Sequence, residues 1–560
     1  MKLRSSTTRI SSSLIKPSKT SRKKRRGENG RCLCAPKNLG TLEFPPVWSE
    51  FRSNFQLCDG TIICDDGIQF QIHRIVLSAV SAYFKVNQLN PTNCFGILRF
   101  AKHYFCTELE KEGKRYVRHN FVELLNEGKE FDDLSFLEVV ELLEDDELNV
   151  TSEKVVYKAV KRWVTIDSNA RKGNLLRLLK CVRFENIYPD YIPVKVFSWD
   201  LVTQCQVKML SSQSNINFLS FVIYEHTNEN ENLRNNLWKP RVPYDILFAI
   251  GGWSAGCPTN FIETYDIRAD CWLLSGDNDC APRAYHGLCA LNGFLYMIGG
   301  FDGNEHFNTV RCFDPIKHKW SECACMYYPR CYVSVVMHNN KIYALGGYNG
   351  RTRMKSVERY DPKINQWELI RPMQRQRSDA SAAVLHDKIY IVGGFNGHEV
   401  MSSGEVYDTL SDQWTFIPSM MSPRSGVSLL AFKDSIYALG GFNGYYRLST
   451  GERYTPGTSA EWMEIAKMLN PRSNFATAIL DDHVFVIGGF NAGSSTVSFV
   501  ERYDPDINEW RNASPMNVNR SALSACVLSG LPNAKDYCYR GKLNGEVGQG
   551  AGTHQRIEYE

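Results

Sequence analysis

Lys341-Ile342-Tyr343-Ala344-Leu345-Gly346-Gly347-Tyr348-Asn349-Gly350 decides the fold. A short β-rich run ends in a glycine pair, and an aromatic-Asn-Gly turn follows. Lys388-Ile389-Tyr390-Ile391-Val392-Gly393-Gly394-Phe395-Asn396-Gly397 repeats it. Working outward, such pairs begin at Gly251, Gly299, Gly346, Gly393, Gly440 and Gly488, always 47 or 48 residues apart. A tryptophan trails each second glycine by 20 or 21 residues: Trp272, Trp320, Trp367, Trp414, Trp462 and Trp510. Tyr265, Phe313, Tyr360, Tyr407, Tyr454 and Tyr503 stand just ahead of these tryptophans. Six copies at this period predict a propeller with one four-stranded blade per repeat. The glycines let the chain pass where blades crowd, and the aromatic pairs fill the wedges between them. A glycine pair followed by strand rather than helix is not a phosphate cradle.

An arginine leads the strand before each glycine pair from the second onward: Arg283, Arg330, Arg377, Arg424 and Arg472, each 16 residues ahead. The first pair has no such strand before it. A spare copy lies at the far end, Arg520-Ser521-Ala522-Leu523-Ser524-Ala525-Cys526-Val527, with no glycine pair after it. Residues 520–529 are therefore expected to complete the first blade. Joining the two ends of the repeat region in one sheet leaves no exposed edge.

Strands of a blade alternate in direction, so the loops carrying Pro-Arg and the loops after Gly-Gly emerge on one face. Aromatic and arginine side chains gathered there make an interaction surface. An arginine present in every blade is explained first by packing. Residues that break the repeat are the stronger candidates for contacting a ligand: Tyr285, His286, Tyr332, Tyr348, Arg353, Tyr445, Tyr446 and Arg447. Arg330, Arg377, Ser378, Arg424, Ser425, Arg472 and Ser473 of the Pro-Arg loops are placed on the same face. The arginines favour an acidic or phosphorylated ligand through charge-assisted pairing.

The whole chain has 560 residues, 65 Lys plus Arg and 61 Asp plus Glu, a net charge of +4. That balance argues against a bulk electrostatic nucleic-acid binder. No run of 18 apolar residues suits a membrane-spanning helix. There is no CxxC, HExxH or GxxxxGK[ST] motif, and 18 cysteines are too few for a disulfide scaffold. No consistent His, Tyr and Cys set is offered for a metal at the ring centre. The sequence therefore points to no metal, no cofactor and no catalytic residue.

Residues 1–46 read as a disordered basic tail, because their apolar content is too low to offset ordering entropy. The basic run at residues 21–26 is a solvated tail or a nuclear-localisation patch, and the expected compartment is otherwise cytoplasmic. Residues 92–210 read as helical. Val156, Val160, Trp163 and Val164 recur on one helix face after the cap candidates Thr151 and Ser152, and Leu134, Leu137, Val140, Leu142 and Leu143 form another such face. Asn- and Ser-rich residues 211–242 read as a linker, 243–531 as the propeller and 532–560 as a flexible tail.

Two further segments carry a family resemblance. Leu57-Cys58-Asp59-Gly60 with His73-Arg74-Ile75-Val76-Leu77-Ser78 and Tyr83-Phe84 resembles the BTB signature. Asn93-Cys94-Phe95-Gly96-Ile97, Asp146-Glu147-Leu148-Asn149-Val150 and Val182-Arg183 resemble BACK. With the repeats, the chain resembles the BTB-BACK-kelch family, and several propeller stretches are similar to one germ-cell member of it. The resemblance implies a multidomain protein: an α/β BTB fragment, an all-α BACK domain and an all-β six-bladed kelch propeller. It implies a non-catalytic adaptor whose BTB and early BACK segments dock cullin-3, whose BTB dimerises, and whose propeller face holds a substrate for ubiquitination. Only residues 47–91 are left for BTB, below the ~50-residue floor of an autonomous domain. The later BTB strands and helices are missing, so cullin-3 docking is expected to be weakened. The alternative is a cytoskeletal scaffold that binds actin.

Overall fold

The β-rich runs before each glycine pair are strands because alternate residues face neighbouring blades and both faces are covered. Leu247 and Ala249 pack with Tyr265, Phe485 and Ile487, while Phe248 and Ile250 pack with Leu295 and Phe313 on the other side. In a computed structural model the described residues are 60–63, 69–72, 89–103, 105–187, 191–203, 239–276, 281–458 and 461–541. The basic tail at 1–46, including residues 21–26, and most of the 211–242 linker lie outside them.

Six four-stranded antiparallel sheets form the propeller. The second blade comprises Gly287–Leu291, Phe294–Ile298, Val310–Asp314 and Lys319–Cys323. The next four blades follow in order, each with its glycine pair after the second strand. The first blade closes the ring: Ser524–Ser529 pairs antiparallel with Asp245–Ile250, in the register Ile250↔Ser524 to Asp245↔Ser529. Ile262–Asp266 and Cys271–Leu274 complete that sheet.

The repeated residues join one blade to the next. Tyr360 and Trp367 hold their rings 5.1 Å apart, and the indole Nε1 of Trp367 donates to the Ala324 carbonyl of the preceding blade at 2.9 Å. Trp272, Trp414, Trp462 and Trp510 repeat that donation to carbonyls of Ser514, Arg371, Pro418 and Ala466. The glycine pair is required at Gly346: its φ is +61°, and a Cβ there would lie 2.3 Å from the Arg377 carbonyl oxygen.

The chain past residue 531 departs from the expectation of a flexible tail. Ala534–Tyr537 forms a 3-10 turn. Tyr537 is buried, with its ring 4.9 Å from Phe248 and its hydroxyl donating to the Pro315 carbonyl at 2.7 Å. The anchor is aromatic burial, which the polar composition around it concealed. Residues 542–560 lie outside the described residues.

The chain forms two compact units that divide after Val139. The first contains a two-stranded pair, Gly60–Ile63 with Gln69–Ile72, and the helices Cys94–His103, Thr107–His119 and Phe121–Glu127. The second unit holds the propeller and the helix Glu153–Ile166, whose N-cap Ser152 accepts from the Lys154 backbone N–H. Val156, Val160, Trp163 and Val164 are buried as expected from their spacing, whereas Leu137 is 74% exposed. Arg241, expected within a linker, is buried instead. Its guanidinium bonds Glu153 at 2.6 Å and the carbonyls of Asp145 and Leu143 at 2.7 and 3.1 Å, tying this helix to the propeller entrance.

Candidate functional site: the propeller face around the axis

The Pro-Arg loops and the post-Gly-Gly loops meet on one face. Ala284, Cys331, Ser378, Ser425, Ser473 and Ser521 each form an antiparallel bridge to the aromatic after a glycine pair: Phe301, Tyr348, Phe395, Phe442, Phe490 and Trp253. Each blade thus presents three radial positions: an axial residue two past the arginine, a bridged small residue, and a rim aromatic.

The repeated arginines do not reach this face. Arg330, Arg377, Arg424 and Arg472 are buried. Arg377 donates to the carbonyls of Gly393 and Ser403 at 2.9 and 2.8 Å and pairs with Glu405 at 3.1 Å. Arg330, Arg424 and Arg472 pair likewise with Glu358, Glu452 and Glu501. Each of these glutamates also accepts from two backbone N–H groups of a preceding loop, as Glu405 does from Gln374 and Arg375. This corrects the placement of the four arginines among ligand-binding residues: every guanidinium is committed to carbonyls and a carboxylate inside the fold. The glutamates, 28 or 29 residues after their arginines, were a repeat the sequence carried and the reading above missed.

Three more candidates are withdrawn from the surface. His286 is buried, and burial, with the charges of Arg283 and Arg520, pulls its imidazole down to about 3. It occupies the packing position held by Val333, Ala380, Val427, Phe475 and Leu523 in the other blades. Ser378 and Ser473 are buried beneath the rim aromatics, and the Ser378 hydroxyl donates to the Phe395 carbonyl at 3.2 Å.

The axial positions are Tyr285, Tyr332, Asp379, Gly426, Asn474 and Ala522, and all six have a φ between +51° and +60°. Their backbones form a closed circuit of hydrogen bonds about the axis. Tyr332 N–H donates to Tyr285 C=O, Asp379 to Tyr332, Gly426 to Asp379, Asn474 to Gly426, Ala522 to Asn474 and Tyr285 to Ala522, at 2.7 to 3.0 Å. The left-handed backbone is strained for five of the six, and the circuit holds it. One backbone geometry therefore displays six positions at the mouth of a cavity of about 240 Å³.

Asp379 is the central polar group. The Ser425 hydroxyl donates to its Oδ2 at 2.9 Å and the Asn474 amide to its Oδ1 at 2.7 Å. Burial pushes its carboxyl up to about 6, against the opposing pull of those two bonds and of Arg353. Tyr285 and Tyr332 lie beside it with ring centroids 4.1 Å apart, and burial raises both phenols. Asp379 and Asn474 were not among the candidates above. Their signal was positional: the residue two past each repeated arginine differs in every blade except for the two tyrosines.

At the rim, Arg353 lies over Tyr348 at 4.1 Å and near Phe395 and Tyr332 at 5.4 and 5.8 Å. Arg447 lies over Phe490 at 4.4 Å, burial lowers its guanidinium, and its Nε has no hydrogen-bond partner among the described residues. Tyr445 and Tyr446 stand at a loop tip built on Asn443, with Tyr445 90% exposed. Tyr285, Tyr332, Tyr348, Arg353, Tyr445, Tyr446 and Arg447 are thus gathered on one face, whereas Ser425 is buried like Ser378 and Ser473 and reaches it through its hydroxyl's bond to Asp379. Among the described residues no cluster of three or more His, Cys, Asp or Glu could hold a metal ion.

Comparison with known proteins finds three domain models along the chain. The BTB/POZ domain model matches residues 48–114, the model named BTB And C-terminal Kelch matches 94–196, and the Kelch motif matches five times between 282 and 517. The chain is 32% identical to Kelch-like ECH-associated protein 1B of Danio rerio over 273 residues, 48% of this chain and 43% of that protein. Kelch-like protein 28 of Homo sapiens is 32% identical over 266 residues, 45% of each chain. The matched segments span less than half the length of these relatives, and they point to a family rather than to one member of it.

Proposed function

Because the chain belongs to the BTB-BACK-kelch family, we propose that it is a substrate-recognition adaptor of a cullin-3 ubiquitin ligase, with the propeller face holding the substrate. The observation that carries this reading is the contrast on that face. Six blades of one backbone geometry present axial side chains that vary around the ring, with Arg353 and Arg447 over the rim aromatics of only two blades, as recognition of an asymmetric peptide requires. An adaptor of this kind makes no covalent bond. It raises the effective concentration of the substrate near a charged ubiquitin-conjugating enzyme.

Arg353 and Arg447 supply the charge-assisted contacts that favour an acidic or phosphorylated stretch, with Tyr445 and Tyr446 as exposed aromatic contacts. The short segment ahead of BACK weakens cullin-3 docking and BTB dimerisation in this chain. The test is co-purification of the chain with cullin-3, beside a chimera carrying a complete BTB domain from a relative. Weak capture by the chain and strong capture by the chimera support the reading. No capture by either, together with co-sedimentation with filamentous actin, supports the cytoskeletal alternative instead.

A further inference from the structure

The axial mouth differs chemically from the arginine-bearing rim. Asp379 is the only carboxylate among the residues that line the cavity, and His286, the other titratable non-tyrosine group there, is held neutral by burial. Asp379 makes no ion pair among the described residues; its partners are a hydroxyl and an amide. Arg353, the one cation that acts on it, is engaged by the Tyr348 ring. An anion solvated by two neutral donors and half removed from water lacks a counter-charge.

Its surroundings are shaped to admit one. Tyr285 and Tyr332 put two aromatic rings next to the carboxylate, and aromatic faces attract ammonium and guanidinium groups. Gly426 and Ala522 contribute little or no side chain to the circuit, which leaves that side of the mouth open. The glycine is needed for more than its φ of +60°. A Cβ there would lie 2.7 Å from Asn474 Oδ1 and displace the amide that orients Asp379.

We propose that the axial mouth, built from Asp379, Tyr285, Tyr332, Asn474 and Ser425, is a binding site for a cationic group of the substrate, a lysine or arginine side chain or a free N-terminal amine. The inference rests on the substrate-receptor reading of this face and specifies its ligand. The peptide places a basic residue on the axis, and its acidic or phosphorylated flank meets Arg353 and Arg447 at the rim. Arg353 thereby acts on the ligand's flank while Asp379 acts on its centre, so the two charges select a segment of mixed sign rather than a purely acidic one.

The probe is a random peptide library displayed on phage and panned against the full chain. Wild type is expected to select sequences that share a basic residue, or a free amine, flanked by acidic positions. Asp379→Asn keeps the size of the side chain and is expected to melt no lower than wild type. It should lose about tenfold in affinity for the selected peptides, and replacing their basic residue with norleucine should cost wild type a similar factor. Tyr285→Leu should weaken the same peptides. Selected peptides lacking a basic residue, an Asp379→Asn variant that binds them as well as wild type, or a library yielding no binder would each overturn the proposal. Peptides sensitive to Arg353→Ala and Arg447→Ala but indifferent to Asp379→Asn would leave the face in place and remove the cation site. Peptides indifferent to all three would remove the face as well.

Discussion

Arg377 and Asp379 are two residues apart and belong to two rings of opposite kinds. The arginine ring repeats its residue in every blade, points inward and is satisfied by carbonyls and, in five blades, a glutamate. The axial ring repeats its backbone in every blade and varies its side chain. In the sixth case of the arginine ring, the glutamate position is Arg311, and Arg283 bonds the carbonyls of Gly299 and Thr309 and the Thr309 hydroxyl instead. Identity across blades therefore marks what the fold needs. Constant backbone beneath changing side chains marks what recognition uses.

The sharpest way to break this distinction is at Arg377. Arg377→Ala should destabilise the propeller by about 3–5 kcal/mol, since it leaves Glu405 buried without its partner. Arg377→Met with Glu405→Leu should cost much less, because the buried charge is removed together with its partner. A urea titration of both variants checks the order. Equal loss in both would mean that packing volume rather than charge pairing is what the arginine supplies.

Gly426→Ala tests the axial ring with a smaller effect. Strain at a left-handed position and the displaced Asn474 amide should together cost about 1–2 kcal/mol. The same variant should raise the apparent pKa of Asp379 further, because it displaces the Asn474 amide whose bond favours the charged carboxylate, a change visible by NMR titration. An unchanged melting curve and titration would show that the circuit tolerates any side chain there.

Asp379→Asn should act in the opposite direction. The folded carboxyl titrates above its ordinary value. The chain therefore loses stability as pH rises from the unfolded value of ~4 through about 6, where the folded state must ionise a half-buried group. The asparagine variant removes that loss. At pH 7 it should be more stable than wild type by up to about 1 kcal/mol after allowance for screening, and level with it near pH 4. A wild type whose stability instead climbs between pH 4 and 6 relative to the variant would contradict the environment assigned to Asp379.

The smallest effect on stability is expected at the rim. Arg353→Ala and Arg447→Ala should each change stability by less than about 0.5 kcal/mol. Their effect should appear in ligand affinity, at about 1–3 kcal/mol where charge-assisted bonds are lost.

The same two rings explain what could be read from the chain. The period of 47 or 48 residues, the aromatic pairs and the spare strand at 524–529 were legible, because each blade must solve the same packing problem. Packing was the first explanation of Arg330, Arg377, Arg424 and Arg472, yet they were also placed on the binding face; their glutamate partners, which recur just as regularly, are what fix the inward direction. Asp379 carries no comparable signal, since an aspartate two residues past a repeated arginine is indistinguishable in sequence from ordinary loop polarity. His286 misled for the reverse reason: it departs from a position that is apolar in the other blades, and there the departure is buried between them. Tyr537 gave no signal because Tyr537 and Tyr539 in a polar stretch make no sustained periodicity, and the docking of Tyr537 depends on Phe248 and Pro315 hundreds of residues away in sequence.

The most direct test of the account is the affinity of one peptide, selected on the wild-type chain, for two double variants measured side by side. Arg377→Met with Glu405→Leu alters the arginine ring, and Arg353→Ala with Arg447→Ala alters the rim. The account predicts near wild-type affinity for the first variant, where folded, and a loss of about tenfold or more for the second. A peptide that leaves the first variant and stays on the second would place recognition at the repeated arginines and contradict the account.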